Sequence, residues 1–237
     1  MSTLVNGWAQ VHCPKTAGTT VSAVLGRVGM QMRRVGDGHQ AWHEISEADR
    51  SCRYLVGTVR DPWSWYQSWA RHMLRAVNRP RRRRERHVKL PAEHVARQYV
   101  PSGDLTVESL IRGAVAPPEM ANPIGLYDTA WATPYPHGAG LWTWAIAHYY
   151  GRDCSGLDVV ISASRPLEGL GALLGMDIHE ADHRRRNTGE GPAPALSDGV
   201  RALIAAADGP QADRLRLPES GHDWAIQWIG RRRELAA

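Results

Sequence analysis

Two short segments, set well apart, constrain this chain more than anything else in it. The first, Val11-His-Cys-Pro-Lys-Thr-Ala-Gly-Thr-Thr20, puts a lysine and a Gly-Thr-Thr turn between an apolar run and a helical pattern. The second, Val59-Arg-Asp-Pro-Trp-Ser-Trp-Tyr-Gln-Ser68, puts an arginine at the end of another apolar run, with a serine eight residues later. A strand–loop–helix junction of the first kind favours an anion, because the loop N–H groups and the positive end of the helix point at it. Gly18 permits close backbone approach, the threonine hydroxyls add donors, and Lys15 sits where its ammonium reaches a phosphate oxygen. Arg60 lies at the C-terminal edge of a strand, where ligands collect in open α/β sheets. Its guanidinium suits bidentate phosphate contact. Taken singly, the first segment also suits a plain turn with a surface lysine. The second also suits a helix start capped at Asp61-Pro62, with Arg60 paired to an acid. Together they describe a pocket for a nucleotide with phosphates at both ends. A Walker A loop would read G-x-x-x-x-G-K-[ST]; here the lysine precedes the glycine, so that match fails.

The rest of the chain supplies the frame. Residues 8–13, 30–35, 53–59 and 158–163 read as strands, and helical spacing follows at 20–28 and from Pro62 onward. On the helix after Pro62, Tyr66, Ala70, Met73 and Val77 share one face, and Ser64, Ser68, Arg71 and Arg75 the other. Glu44 to Arg50 reads as a short helix or loop, 106–112 as a short helix, and Leu141 to Tyr150 as a longer one. Pro166 opens another helix, and 198–207 and 222–233 read as C-terminal helices. Strands alternating with helices predict an α/β fold with a mainly parallel sheet flanked by helices. At 237 residues the chain suits one domain spanning 1–237.

No segment reaches the roughly 20 apolar residues that span a bilayer, and no secretory signal is evident. Three cysteines, Cys13, Cys52 and Cys154, lie far apart without a C-x-x-C, which fits a reducing cytoplasm. The net charge of +5 owes much to the arginine clusters at 79–86, 184–186 and 231–233, and favours anionic partners without choosing among them. The run Arg81–Arg86 reads first as a solvated basic loop, and second as a contact for an acidic acceptor. Tyr127, Trp131, Tyr135 and His137 suit packing of a Pro/Gly-rich loop or stacking on a sugar face.

The pairing of PKTAGTT with VRDP-x5-S resembles the two signatures of sulfotransferases that use 3′-phosphoadenosine 5′-phosphosulfate (PAPS), and among them the carbohydrate type, the uronyl 2-O-sulfotransferases in particular. The run VVISASRPLEGLGALLG is similar to that family's late strand and helix. The basic loop that follows it in the family closes over the nucleotide, and His183-Arg-Arg-Arg-Asn-Thr188 occupies that position here. The matches span 11–68 and 158–188, and one departure is Trp65, where many relatives carry a second arginine. The resemblance implies a P-loop-type sulfotransferase fold and PAPS as co-substrate. In it Lys15, Thr16, Ala17, Gly18, Thr19 and Thr20 hold the 5′-phosphosulfate, Arg60 and Ser68 the 3′-phosphate, and Arg186 and Asn187 the closing contacts.

Transfer to a hydroxyl needs a base for the acceptor and a cation near the leaving bridging oxygen. Lys15 suits the second role, so no metal is required. For the base, the 2-O branch places a histidine in a Gly-His segment about twenty residues before the arginine, and Gly38-His39 stands 21 residues before Arg60. His43 is the second candidate and Glu44 the third. The expected activity is sulfuryl transfer from PAPS to a hydroxyl of a glycan, a glycosylated metabolite or a small molecule. A kinase with a degenerate P-loop is the alternative within enzymes. A nucleic-acid-binding module is the alternative outside them; it accounts for the basic charge but not for Pro14-Lys15 or the Arg60–Ser68 spacing, and no DNA- or RNA-binding motif is visible.

Overall fold

In a computed structural model of the chain, the described residues are 3–5, 8–34, 40–50, 54–78, 92–116, 138–178, 194–217, 219 and 224–229. They fall into two compact units. The first draws on the segments Met1–Asp61, Ile146–Thr188 and Arg214–Ala237, the second on Pro62–Ala145 and Gly189–Asp213. The strands are β1 (Thr3–Val5), β2 (Trp8–Val11), β3 (Met32–Arg34), β4 (Tyr54–Val59), β5 (Val159–Ser162) and β6 (Ile226–Trp228). The helices are α1 (Gly18–Arg27), α2 (Glu47–Arg50), α3 (Pro62–Asn78), α4 (Ala92–Tyr99), α5 (Val107–Val115), α6 (Leu141–Tyr150), α7 (Pro166–Leu174) and α8 (Asp198–Arg214). The unit boundary falls inside α6, after Ala145.

All six strands belong to the first unit and form one sheet in the order β3-β1-β2-β4-β5-β6. β2 pairs with β4, and β4 with β5, in parallel. β1 runs against both β2 and β3, and β6 runs against β5. Hence β2, β3, β4 and β5 point one way and β1 and β6 the other. The α/β class holds, and the sheet is parallel at its centre and mixed at its margins.

Alternation along the central strands explains the core. Trp8, Tyr54, Val56, Val159 and Ile161 pack with Val21, Val24 and Leu25 of α1 and Leu170 of α7. The opposite side chains are buried as well: Ala9, Val11, Val59 and Val160 all lie within 1% exposure. A strand covered on both faces reads as an imperfectly alternating run, as residues 8–13 do. Gln10, in the same alternating set as Trp8, reaches α1, where its Oε1 accepts from the Ser22 hydroxyl at 3.3 Å.

One sequence expectation needs correction in this unit, and one strand was not expected. The stretch 222–233 was expected to be helical, but Ile226–Trp228 is strand β6. Ile226 and Trp228 alternate onto the same core cluster, and the Trp228 ring meets Tyr54 edge-on at 5.1 Å. A period of two satisfies that contact, and a helical period does not. The N-terminal strand β1 carries no sequence signal used above, and it separates β3 from β2.

The second unit is helical. In α3, Tyr66, Ala70 and Met73 are buried as expected, and so are Trp65 and Trp69, which stack with ring centroids 6.3 Å apart. Trp69 in turn meets Tyr99 of α4 edge-on at 5.1 Å. Trp65, standing where an arginine was expected from the resemblance, is therefore an apolar anchor of α3. α4 was not expected from the sequence. α8 extends past Pro210 to Arg214.

The polar centre of this unit is Asp208 of α8, wholly buried. Its carboxylate accepts from the Tyr66 hydroxyl at 2.7 Å, from Thr143 N–H at 3.0 Å and from the Thr143 hydroxyl at 2.6 Å. It thus caps the first turn of α6 from another helix, where a negative charge is favoured. Burial still outweighs these bonds and pushes Asp208 up to about 6, against an ordinary value of 3.8. The folded state therefore holds the proton more tightly than the unfolded chain does. The stability from this group is complete below about pH 4 and is lost as the pH rises through about 6. Asp208→Asn should remove that slope. Urea unfolding at pH 4 and pH 7 should show the wild-type-minus-variant stability falling by on the order of 2–3 kcal/mol between them. A pH-independent difference would show that the carboxylate does not titrate in this window.

Candidate active site

β2, β4 and β5 run parallel, so the segments after Val11, Val59 and Ser162 leave from one edge of the sheet. Those segments carry Lys15, Arg60 and Ser164-Arg165. This is the edge at which parallel α/β sheets bind ligands.

The first segment makes a tight loop into α1. The Thr16 hydroxyl donates to the Cys13 carbonyl at 2.8 Å and closes the turn. Lys15 and Ala17 both lie in the left-handed region, at φ 68° and 69°. Neither is glycine, and each such conformation costs on the order of 1–3 kcal/mol. Paired reversals of this kind turn backbone N–H groups towards one concavity, which suits an anion. α1 begins at once, with no side-chain cap and no acid in its first turn. Thr16 is buried, Lys15, Ala17 and Thr20 are half-buried, and Thr19 is exposed.

Gly18 is needed for its size. A Cβ there would stand 2.5 Å from His12 Cδ2 and 2.7 Å from Nε2. His12 continues the alternation of Trp8 and Gln10 beyond β2, and its buried ring fills the space against the first residue of α1.

The loop is joined to β4 by buried polar contacts. Thr16 Oγ1 lies 3.1 Å from Thr58 Oγ1. The Tyr150 hydroxyl, at the end of α6, accepts from Cys13 N–H at 3.1 Å and from Thr58 N–H at 3.3 Å, and donates to the Thr58 carbonyl at 2.8 Å. Burial pushes the Tyr150 phenol and the Cys13 thiol up, so both stay neutral. One residue beyond β4, Arg60 is half-buried. Burial lowers it from its ordinary value, against the opposing pull of Asp61, and an arginine so placed remains a cation. On the neighbouring strand, Ala163 N–H donates to the Val59 carbonyl at 2.7 Å, and the Ser162 and Ser164 hydroxyls lie 2.7 Å apart.

Ser68 lies in α3 of the second unit, half-buried. His43 sits in the 3-10 turn Trp42–Glu44, exposed, with its ring edge-on to His148 at 5.7 Å. His148 is buried, and burial, with a smaller push from His43, lowers it to about 4, so it is neutral at pH 7. The Glu44 carboxylate accepts from Ala41 N–H at 2.7 Å and holds the turn. His39, Arg186 and Asn187 lie outside the described residues, as do Arg81–Arg86, Tyr127, Trp131, Tyr135 and His137.

Tyr150, Thr58 and His12 were not singled out from the sequence. Thr58 carried a signal, as a polar residue inside an apolar strand. Tyr150 carried none, since its partners lie 92 and 137 residues away along the chain. No protein-family model, no curated protein and no solved structure matches this chain.

The packing of His12 on Gly18 predicts a measurable coupling. Gly18→Ala should cost about 1–3 kcal/mol in denaturant unfolding, as overpacking does. Adding His12→Ala should recover part of that loss, and strictly additive effects would show that the two residues do not compete for space.

Proposed function

We propose that this chain is a PAPS-dependent sulfotransferase of P-loop-type sulfotransferase fold, acting on a hydroxyl of a carbohydrate-containing or small-molecule acceptor. The observation that carries the reading is the loop Pro14–Ala17. Two non-glycine residues there are held in left-handed conformations ahead of an uncapped helix, and strain of that kind clusters at ligand clamps. The half-buried Arg60, one residue beyond the adjacent parallel strand β4, supplies a second cation at the same edge.

In this reading Lys15 to Thr20 hold the 5′-phosphosulfate, and Arg60 and Ser68 hold the 3′-phosphate. Arg186 and Asn187 complete the nucleotide contacts. The acceptor oxygen bonds to sulfur as the bond from sulfur to the bridging oxygen breaks. The electron pair of that bond stays on the 5′-phosphate, where the Lys15 ammonium offsets it. The acceptor proton passes to His39, with His43 next in order and Glu44 third. Among the described residues no helix is long and apolar enough to cross a membrane. A cytoplasmic setting belongs to the proposal, as Cys13 and Cys154 are buried free thiols.

Calorimetry with 3′-phosphoadenosine 5′-phosphate, 5′-AMP, ATP and a mixed oligonucleotide tests the class. The first should bind far better than the others. Arg60→Ala should erase most of its advantage over 5′-AMP, on the order of 1.5–3 kcal/mol. Equal affinity of the wild type for these two would remove the 3′-phosphate assignment, and preference for ATP or the oligonucleotide would favour the kinase or nucleic-acid alternative.

Lys15→Ala should reduce turnover with radiolabelled PAPS by about a hundredfold or more, while product nucleotide binding falls less because the loop N–H groups remain. Turnover near that of the wild type would leave Lys15 as a surface residue of the turn.

A further inference from the structure

Resting on the nucleotide assignment above, the geometry points to Tyr150 as a positioning residue that sets the spacing between the Lys15 loop and the Arg60 end of β4, so that the two ends of a doubly phosphorylated nucleotide bind cooperatively. The parallel ladder between β2 and β4 has its last pair at Val11 and Gly57. Beyond it the strands continue as His12-Cys13 and Thr58-Val59, and a phenol oxygen stands between them. That oxygen takes both N–H groups, Cys13 at 3.1 Å and Thr58 at 3.3 Å, and returns its proton to the Thr58 carbonyl at 2.8 Å. One donation and two acceptances use the full capacity of a phenol. Direct strand pairing would have joined the two backbones to each other at the usual separation of roughly 4.8 Å; here a hydroxyl links them instead.

Gly57 lies against this ring and against Leu157: a Cβ there would stand 2.4 Å from Leu157 Cδ1, 3.0 Å from Tyr150 Cε1 and 3.1 Å from Cζ. Thr16, inside the anion loop, adds a side-chain strut: its Oγ1 lies 3.1 Å from Thr58 Oγ1 and 3.4 Å from the Tyr150 oxygen. Lys15 precedes Thr16, and Arg60 lies two residues beyond Thr58, so the segments that carry both cations are tied to one buried hydrogen-bonded node. A ligand touching one cation does not read the spacing. A ligand carrying phosphate at both its 3′ and 5′ ends does.

The test compares the wild type with Tyr150→Phe, Thr58→Val and Thr58→Ser, each titrated with 3′-phosphoadenosine 5′-phosphate, 5′-AMP and 3′-AMP. Tyr150→Phe should weaken the bisphosphate about tenfold and each monophosphate less than twofold. Thr58→Val should do the same to a smaller degree, and Thr58→Ser, which keeps the hydroxyl, should restore wild-type affinity. A loss of equal size for all three ligands would mark Tyr150 as a structural support only, and no loss would remove it from the site; either overturns the inference. Should Tyr150→Phe not fold, the Thr58→Val and Thr58→Ser pair decides by the same criterion. Should the wild type itself bind the bisphosphate no better than 5′-AMP, the nucleotide assignment falls. Native-state amide exchange then judges the spacer separately. Cys13 and Thr58 should exchange faster together in the phenylalanine variant, and unchanged exchange at both would overturn it.

Discussion

The pairing of β2 with β4 is the contact on which the first unit depends. It is parallel, and it joins segments more than forty residues apart in the chain, Trp8 to Tyr54 and Val11 to Gly57. Parallel pairing directs both strand ends to the same edge, and so brings a lysine-bearing loop and an arginine there from separate parts of the sequence. α1 and α7 then cover one face through Val21, Val24, Leu25 and Leu170. The cost of holding Lys15 and Ala17 in left-handed conformations is carried by this frame, whose burial is dense enough to over-determine the loop.

Both units place a hydrogen-bonded oxygen where apolar packing alone would be cheaper. In the first it is a neutral phenol, in the second a carboxyl group, each with at least three hydrogen bonds. A fully satisfied buried group of this sort narrows the set of packings a sequence can adopt, because any shift strands a donor or an acceptor. The difference in charge separates their behaviour. Tyr150 is pushed further from ionisation by burial, whereas Asp208 is brought into a range where it changes state.

The strands that bear the candidate site were legible because burial on both faces leaves an apolar run, as in 53–59, and because Asp61-Pro62 marks the start of α3. The loop at Lys15 was legible from its glycine and threonines. What the sequence concealed falls into two kinds. Short strands were missed or misassigned: β1 and β6 span three residues each, too few to show a period. Long-range partners were missed because hydrogen bonds such as that of Tyr150 to Cys13 leave no local mark on either residue. The same holds for His12, whose part in excluding a side chain at position 18 is visible only from the packing. Ser68 was singled out by its place eight residues after Arg60 and by the family resemblance, and it falls in the helix expected there.

The margin of the sheet at β3 has one further meaning. An edge strand exposes unpaired backbone groups that another chain can extend. Here that margin is three residues long, Met-Arg-Arg, with the Arg33 side chain 65% exposed and paired to Asp49. A strand so short, with the long cationic side chain of Arg33 in solvent, offers a second copy of the chain very little to zip onto. Growth of the sheet from molecule to molecule is discouraged at this margin by length and solvation.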